Sequence, residues 1–269
     1  MTVFWQGAFM TEKNAHNTND WSRFDQEREV RGDKSMKMEG GKGCAENGPD
    51  EEVAAAVMRS FPRLSSDEQK ISLLIYRLLS EGNPVNLGCL SERSGLGKQE
   101  IAAFLMSRSG LRTIEYDDHQ RIVGFAGLSL MPTPHKFYIG PERLYSWCAW
   151  DALFLPELLR KTARIVSCCP VSGMEIRLIV SPGEIHQYSP LSSVMSFRIP
   201  EPSVIQGQDM VHRFCCDIRF FANSDQTLLW VAEKKEVVIF GVREAYALAR
   251  IKNFVQYPDF FPENRNAQS

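Results

Sequence analysis

The apolar positions of the chain fall into three textures. From Met1 to Arg63 there is not one Leu or Ile, and Asn, Gly, Lys, Glu and Asp dominate. A segment so composed cannot bury enough apolar surface to offset the entropy of ordering it, so residues 1–49 are expected to form a disordered extension. From Asp50 the spacing turns helical. Asp50 is placed to cap a short helix with Val53, Ala56, Val57 and Met58 inward, and Ser65 with Glu68 makes a capping box ahead of an Ile71, Leu74, Leu78, Leu79 stripe. Gly82-Asn83-Pro84 stops that helix. Helical runs at Leu87 to Arg93 and Lys98 to Ser107 follow, split by Ser94-Gly95-Leu96-Gly97. Two β-type runs, Arg112 to Tyr116 and Arg121 to Phe125, then flank Asp117-Asp118-His119-Gln120. Helices followed by a hairpin predict a winged-helix-like domain over residues 50–131.

After Pro132-Thr133-Pro134 the texture changes again. Strand-like runs occur at Thr162 to Ser167, Met174 to Val180, Val194 to Ile199, Asp217 to Phe221 and Val237 to Phe240. Helical patterns occur at Tyr145 to Leu155, Gln226 to Lys234 and Arg243 to Phe254. Strands separated by turns, with few interleaved helices, predict a mainly antiparallel domain over 132–262, with a tail at 263–269. The fold class expected for the whole is therefore α+β.

Composition narrows the function classes. Of the 269 residues 43% are hydrophobic and 24% charged, with a formal net charge of −2, so neither nucleic acid nor an anionic membrane is expected as the main partner. From Pro84 to Leu128 Arg93, Lys98, Arg108, Arg112 and Arg121 are balanced by Glu92, Glu100, Glu115, Asp117 and Asp118. A wing tip that is acidic where a DNA reader is basic predicts a packing role for that domain. No apolar run approaches the ~20 residues of a membrane span, and the start MTVFWQGAFM lacks a basic leader, so the expected location is the cytoplasm. Thiols there stay reduced, available for chemistry or metal.

Familiar catalytic motifs are absent. No GxGxxG, GxSxG or HExxH occurs, and Glu92 stands where a phosphate-binding loop ending at Gly97-Lys98 needs its first glycine. Cysteine remains. Of seven, Cys44 and Cys89 read as small apolar residues, while Cys148, the pair Cys168-Cys169 and the pair Cys215-Cys216 lie in the second domain. Adjacent cysteines in a strand point to opposite faces, so one of each pair is expected to face the core. Cys148 stands out because the run Leu144 to Pro156 holds a single charged residue, Asp151, three positions on. On a helix the two share a face, and the first-turn position of Cys148 favours a thiolate. A carboxylate among Trp147, Trp150, Leu153 and Phe154 is costly to ionise, so its proton affinity should rise. It reads either as a proton shuttle beside a thiol or as a local cap of backbone N–H groups.

The segments LYSWCAWDALFLPELL, RKTARIVSCCPVSG, IVSPGEI and RFCCDIRFFA, in that order, resemble the organomercurial lyase (alkylmercury lyase) family over about Pro84 to Tyr257. The resemblance implies that family's fold, a winged-helix-like domain before a catalytic sheet. It also implies catalytic roles for Cys148, Asp151 and Cys215, with Cys148 and Cys215 holding mercury as substrate and product. Cys169 matches a structural core cysteine; Cys168 is an additional thiol, and Cys216 is read as a structural neighbour. Protonolysis of a carbon–mercury bond is the implied activity, with no organic cofactor, small thiols assisting product removal, and mercuric reductase taking the Hg(II). The residues fit that chemistry, because soft mercury prefers sulfur and a raised carboxyl can hold and deliver a proton. Two other readings stay open on the residues alone: a thiol-based winged-helix metalloregulator, and a soft-metal-binding protein that cleaves nothing.

Overall fold

The computed structural model describes residues 50–106, 114–201, 203 and 213–261. The expected extension 1–49, with Cys44, and the tail 263–269 lie outside the described residues. No helix among the described residues is long and apolar enough to cross a membrane.

Helix α1 (Glu51–Ser60) begins where Asp50 accepts the Glu52 N–H at 2.8 Å, and α2 (Ser66–Leu79) begins at the full Ser65–Glu68 capping box. Helices α3 (Leu87–Ser94) and α4 (Lys98–Met106) follow, α3 ending at Gly95 in the left-handed conformation. Strands β1 (Ile114–Tyr116) and β2 (Ile122–Phe125) pair antiparallel around the Asp117–Arg121 ion pair. The element order expected for residues 50–131 is thus present in its described part. The hairpin does not stand alone, however. β2 continues through a turn at Ala126-Gly127 into β3 (Leu128–Ser129), and β3 pairs with β5 (Glu142–Ser146).

These strands join an eight-stranded, wholly antiparallel sheet in the order β1-β2-β3-β5-β4-β6-β7-β8. Its other members are β4 (His135–Ile139), β6 (Ala163–Cys168), β7 (Glu175–Ser181) and β8 (Glu184–Ser189). In β7 the inward positions Ile176, Leu178 and Val180 alternate with more accessible ones, the period-two signature of a sheet with one face covered. A second antiparallel sheet, β10-β9-β11, is built from β9 (Val194–Arg198), β10 (Phe220–Phe221) and β11 (Val237–Gly241). Helix α6 (Ser224–Val231) precedes β11, and α7 (Val242–Gln256) follows it.

Helix α5 (Ala149–Leu159) is central, packed against α2, α7 and strands β4 to β7. Every residue from Ala149 to Leu158 is buried, as befits a helix that is apolar on all sides. Trp150 anchors it: its indole N–H donates to the Ala245 carbonyl at 3.2 Å, and Phe61, Phe154, Phe197 and Phe214 meet its rings edge-on.

Three local expectations need correction. The helix expected over Tyr145 to Leu155 starts only at Ala149; Tyr145 and Ser146 end β5, paired with Lys136 and His135. Cys148 is the extended N-cap of α5 and precedes its first turn. Of the strand expected over Asp217 to Phe221 only Phe220–Phe221 is strand, and Cys215–Asp217 is one turn of 3-10 helix. Asp217 explains that turn. It binds Arg198 at 2.8 Å and Lys234 at 2.6 Å, while Ser196 Oγ donates to its carbonyl at 2.7 Å. Partners on β9 and in the turn after α6 thereby draw the backbone out of a ladder.

Candidate active site

The N-terminus of α5 and the 3-10 turn meet through the Ala149 N–H, which donates to the Ile218 carbonyl at 3.2 Å. This contact brings Cys148 and Cys215 together. One Sγ from each and a carboxylate oxygen of Asp151 all lie within 4.8 Å of one another, and all three residues are buried. Among the described residues this is the only grouping of three or more Cys, His, Asp or Glu side chains with spacing to hold a metal ion. Ser146 Oγ donates to the Cys148 carbonyl at 3.0 Å, and the Trp147 N–H donates to the Gly127 carbonyl at 2.9 Å, so both residues before Cys148 are tied down.

Asp151 is at once a cap and a buried acid. Its Oδ2 accepts the Cys148 backbone N–H at 2.9 Å, and the Cys148 thiol also reaches the carboxyl. The reading of Asp151 as a local cap of backbone N–H groups is thus met, and the carboxyl also stands beside a thiol. Burial pushes its pKa up to about 6, against the hydrogen bonds from Cys148 and the charge of Lys252. The expected rise in proton affinity is present.

The thiols differ from expectation. Burial raises the Cys148 thiol well above its usual value, and the adjacent Cys215 sulfur and Asp151 add to the rise. Removal from water thus outweighs the helix N-terminus, whose charge of roughly half a proton was expected to favour thiolate. At Cys215 the hydrogen bond with Cys148 acts downward, but burial, Asp151 and Cys216 outweigh it and the thiol is raised. The resting site is therefore two neutral thiols beside a carboxyl that titrates near neutrality.

The other cysteines separate as the sequence predicts, for partly different reasons. Cys168 is exposed at the end of β6, and Cys169 is buried just beyond it with Sγ donating to Gln226 Oε1 at 3.0 Å. Cys215 is buried and Cys216 half-buried, though they lie in a 3-10 turn and not on two faces of a strand.

Three residues near the site were missed by the sequence reading. Arg219 donates from Nε to the Cys216 carbonyl at 3.2 Å, and its charge lies close to Cys216, Cys148 and Cys215. It stands inside the RFCCDIRFFA segment, where a cation four residues after a thiol can be noticed. Lys252, one of the most buried residues, sits with Nζ 3.5 Å from the centre of the Phe154 ring. Burial lowers it to about 7 against the opposing pull of Asp151 and Glu157. Gly127 presses its backbone on Asp151, and a Cβ there would come within 2.7 Å of the Asp151 Cγ.

The family model described as alkylmercury lyase (MerB) matches residues 128–252, which hold all three site residues. The chain is 34% identical over 177 residues to the alkylmercury lyase of Pseudomonas putida, covering 66% of this chain and 80% of the relative. It is 31% identical over 176 residues to that of Staphylococcus epidermidis, covering 65% of this chain and 78% of the relative. In fold it is similar to the mercury-bound form of MerB2, with a TM-score of 0.63 and 23% identity over 77% of this chain and all of that one. A site of two buried thiols and one raised carboxyl, on a chain with these relatives, places the protein in the alkylmercury lyase family.

Proposed function

We propose that the protein cleaves the carbon–mercury bond of organomercurials by protonolysis, with Cys148 and Cys215 holding mercury and Asp151 moving the proton. The observation that supports this reading is the convergence of the three ligand atoms within 4.8 Å in a buried setting. An organomercury cation entering the site displaces the thiol protons, because sulfur binds soft mercury far more tightly than oxygen does. Asp151, titrating near 6, takes the proton of Cys148 as the sulfur–mercury bond forms. With both sulfurs on mercury, the carbon–mercury bond breaks. Its electron pair stays with carbon, which receives the proton from Asp151. The balance is one organomercury cation and two thiols giving one hydrocarbon, mercury(II) bound by two thiolates, and one proton released to solvent. Mercury is neither oxidised nor reduced, so the residues present suffice without an organic cofactor.

Small thiols are the natural agents to lift Hg(II) from the pair, and mercuric reductase is the proposed acceptor downstream. Helices α1 to α4 with the β1–β2 hairpin are read as a winged-helix-like packing unit ahead of a catalytic unit over 132–262. The hairpin tip of that unit is acidic in sequence and Asp117 is paired with Arg121, which supports a packing role. We place the protein in the cytoplasm, acting without nucleic acid or membrane. Purified protein given phenylmercury and excess small thiol should release benzene over many turnovers, measured by gas chromatography. Mercurial binding without benzene would instead favour a soft-metal carrier.

A further inference from the structure

We propose that Tyr76, on helix α2, is a positioning residue for the Asp151 carboxyl, acting through the Ala126-Gly127 turn between β2 and β3. This inference rests on the reading of Asp151 as the proton-delivering group.

Both turn residues have positive φ, 41° at Ala126 and 102° at Gly127. Such a conformation is unfavourable for alanine, so something must hold it. The two carbonyls of the turn are each held by a donor from elsewhere in the chain. The Tyr76 hydroxyl donates to the Ala126 carbonyl at 2.8 Å, and the Trp147 N–H donates to that of Gly127 at 2.9 Å. Tyr76 is fully buried, and its ring meets Phe125 edge-on at 5.1 Å, so the phenol has one stable placement. Burial, with Tyr257 and Asp151 nearby, keeps that phenol protonated and a donor throughout the working range.

The turn is a wall of the site. A Cβ on Gly127 would lie 2.7 Å from the Asp151 Cγ and 2.8 Å from its Oδ1, closer than real atoms approach. One carboxylate oxygen is thus hydrogen-bonded to the Cys148 N–H, and the other lies against the Gly127 backbone. A carboxyl that must address first a sulfur and then a carbon gains from having its other orientations closed off. Without the phenol oxygen, the left-handed Ala126 is released and the wall moves away from Asp151.

The test is single-turnover benzene release from phenylmercury, read beside phenylmercury binding, for Tyr76→Phe, Gly127→Ala, the double variant and Ile75→Val. Ile75 is buried on the same helix and reports on general loosening of α2. Tyr76→Phe is expected to slow release about 10-fold and Gly127→Ala about 100-fold, with binding unchanged, because sub-ångström misplacement acts on the chemical step. The double variant should be no slower than Gly127→Ala, since both act through one turn. Ile75→Val should keep the wild-type rate. Wild-type release by Tyr76→Phe, or an equal loss in Ile75→Val, overturns the inference while leaving the site reading intact. A wild-type protein that binds phenylmercury but frees no benzene overturns both.

Discussion

Cys148→Ser and Cys215→Ser are each expected to cut hydrocarbon release by about 10³-fold or more, the scale seen when one member of a catalytic group that acts as a unit is removed. The two sulfurs and the Asp151 carboxyl form one cluster, and among the described residues no third thiol belongs to it. Serine is nearly isosteric, but its hydroxyl is a hard, weakly acidic oxygen and a poor ligand for mercury. Each variant should keep its fold, because both positions are buried within a core that a hydroxyl perturbs by only ~1–3 kcal/mol. Cys168, exposed at the end of β6, and Cys216, half-buried beside Arg219, lie outside the cluster. Their serine variants should stay within about 2-fold of wild type on that ground, a surface-type change having little effect. Benzene released per folded molecule ranks all four. An active Cys215→Ser beside an inactive Cys216→Ser would move the second mercury ligand by one residue.

Asp151→Asn separates capture from cleavage. Asparagine still offers an oxygen to the Cys148 N–H, so the N-cap of α5 survives, and the two sulfurs still take up mercurial. Proton delivery is lost, and release should fall about 10²–10⁴-fold, the usual worth of a positioned acid–base group. The same variant has a stability signature. The carboxyl titrates near 3.8 when unfolded and about 6 when folded, so the folded state holds the proton more tightly. Ionising the buried group therefore costs stability as pH rises from about 4, and the full cost is present above about 6. The amide of the variant never ionises. At neutral pH the variant should be more stable than wild type by about 2–3 kcal/mol, an advantage that disappears near pH 4. Urea unfolding at the two pH values checks this; a difference that does not change with pH would contradict a raised carboxyl.

The elements that the sequence announced are those with local causes. The Ser65 capping box, the Gly95 stop and the alternation of β7 each depend on residues within a few positions, and each stands where the pattern puts it. The failures occur where both faces of a segment are buried or where distant partners set the backbone. Leu144 to Leu155 is apolar on every side, so periodicity cannot separate the end of β5 from the start of α5; the pairing with β4 decides it. The 3-10 turn at Cys215 is set by Arg198 and Lys234, partners of Asp217 that no local pattern connects to it. The site was legible in part where chemistry is rare, as one acid in an apolar run beside Cys148; Cys215 was singled out only by the family resemblance. That the thiols are neutral at rest was not legible, because it follows from complete burial. Nor were Tyr76 and Gly127, whose bearing on Asp151 exists only once α2 and the β2–β3 turn are brought against α5.

The most direct test of two thiols holding mercury while Asp151 protonates carbon is one turnover in heavy water. The protein is mixed with one equivalent of phenylmercury, without free thiol, and both the isotopic make-up of the benzene and the mass of the protein are recorded. The expected result is benzene with a single deuterium, together with protein carrying one bare mercury in place of two thiol hydrogens. Protein that instead retains intact phenylmercury and releases no benzene would contradict it.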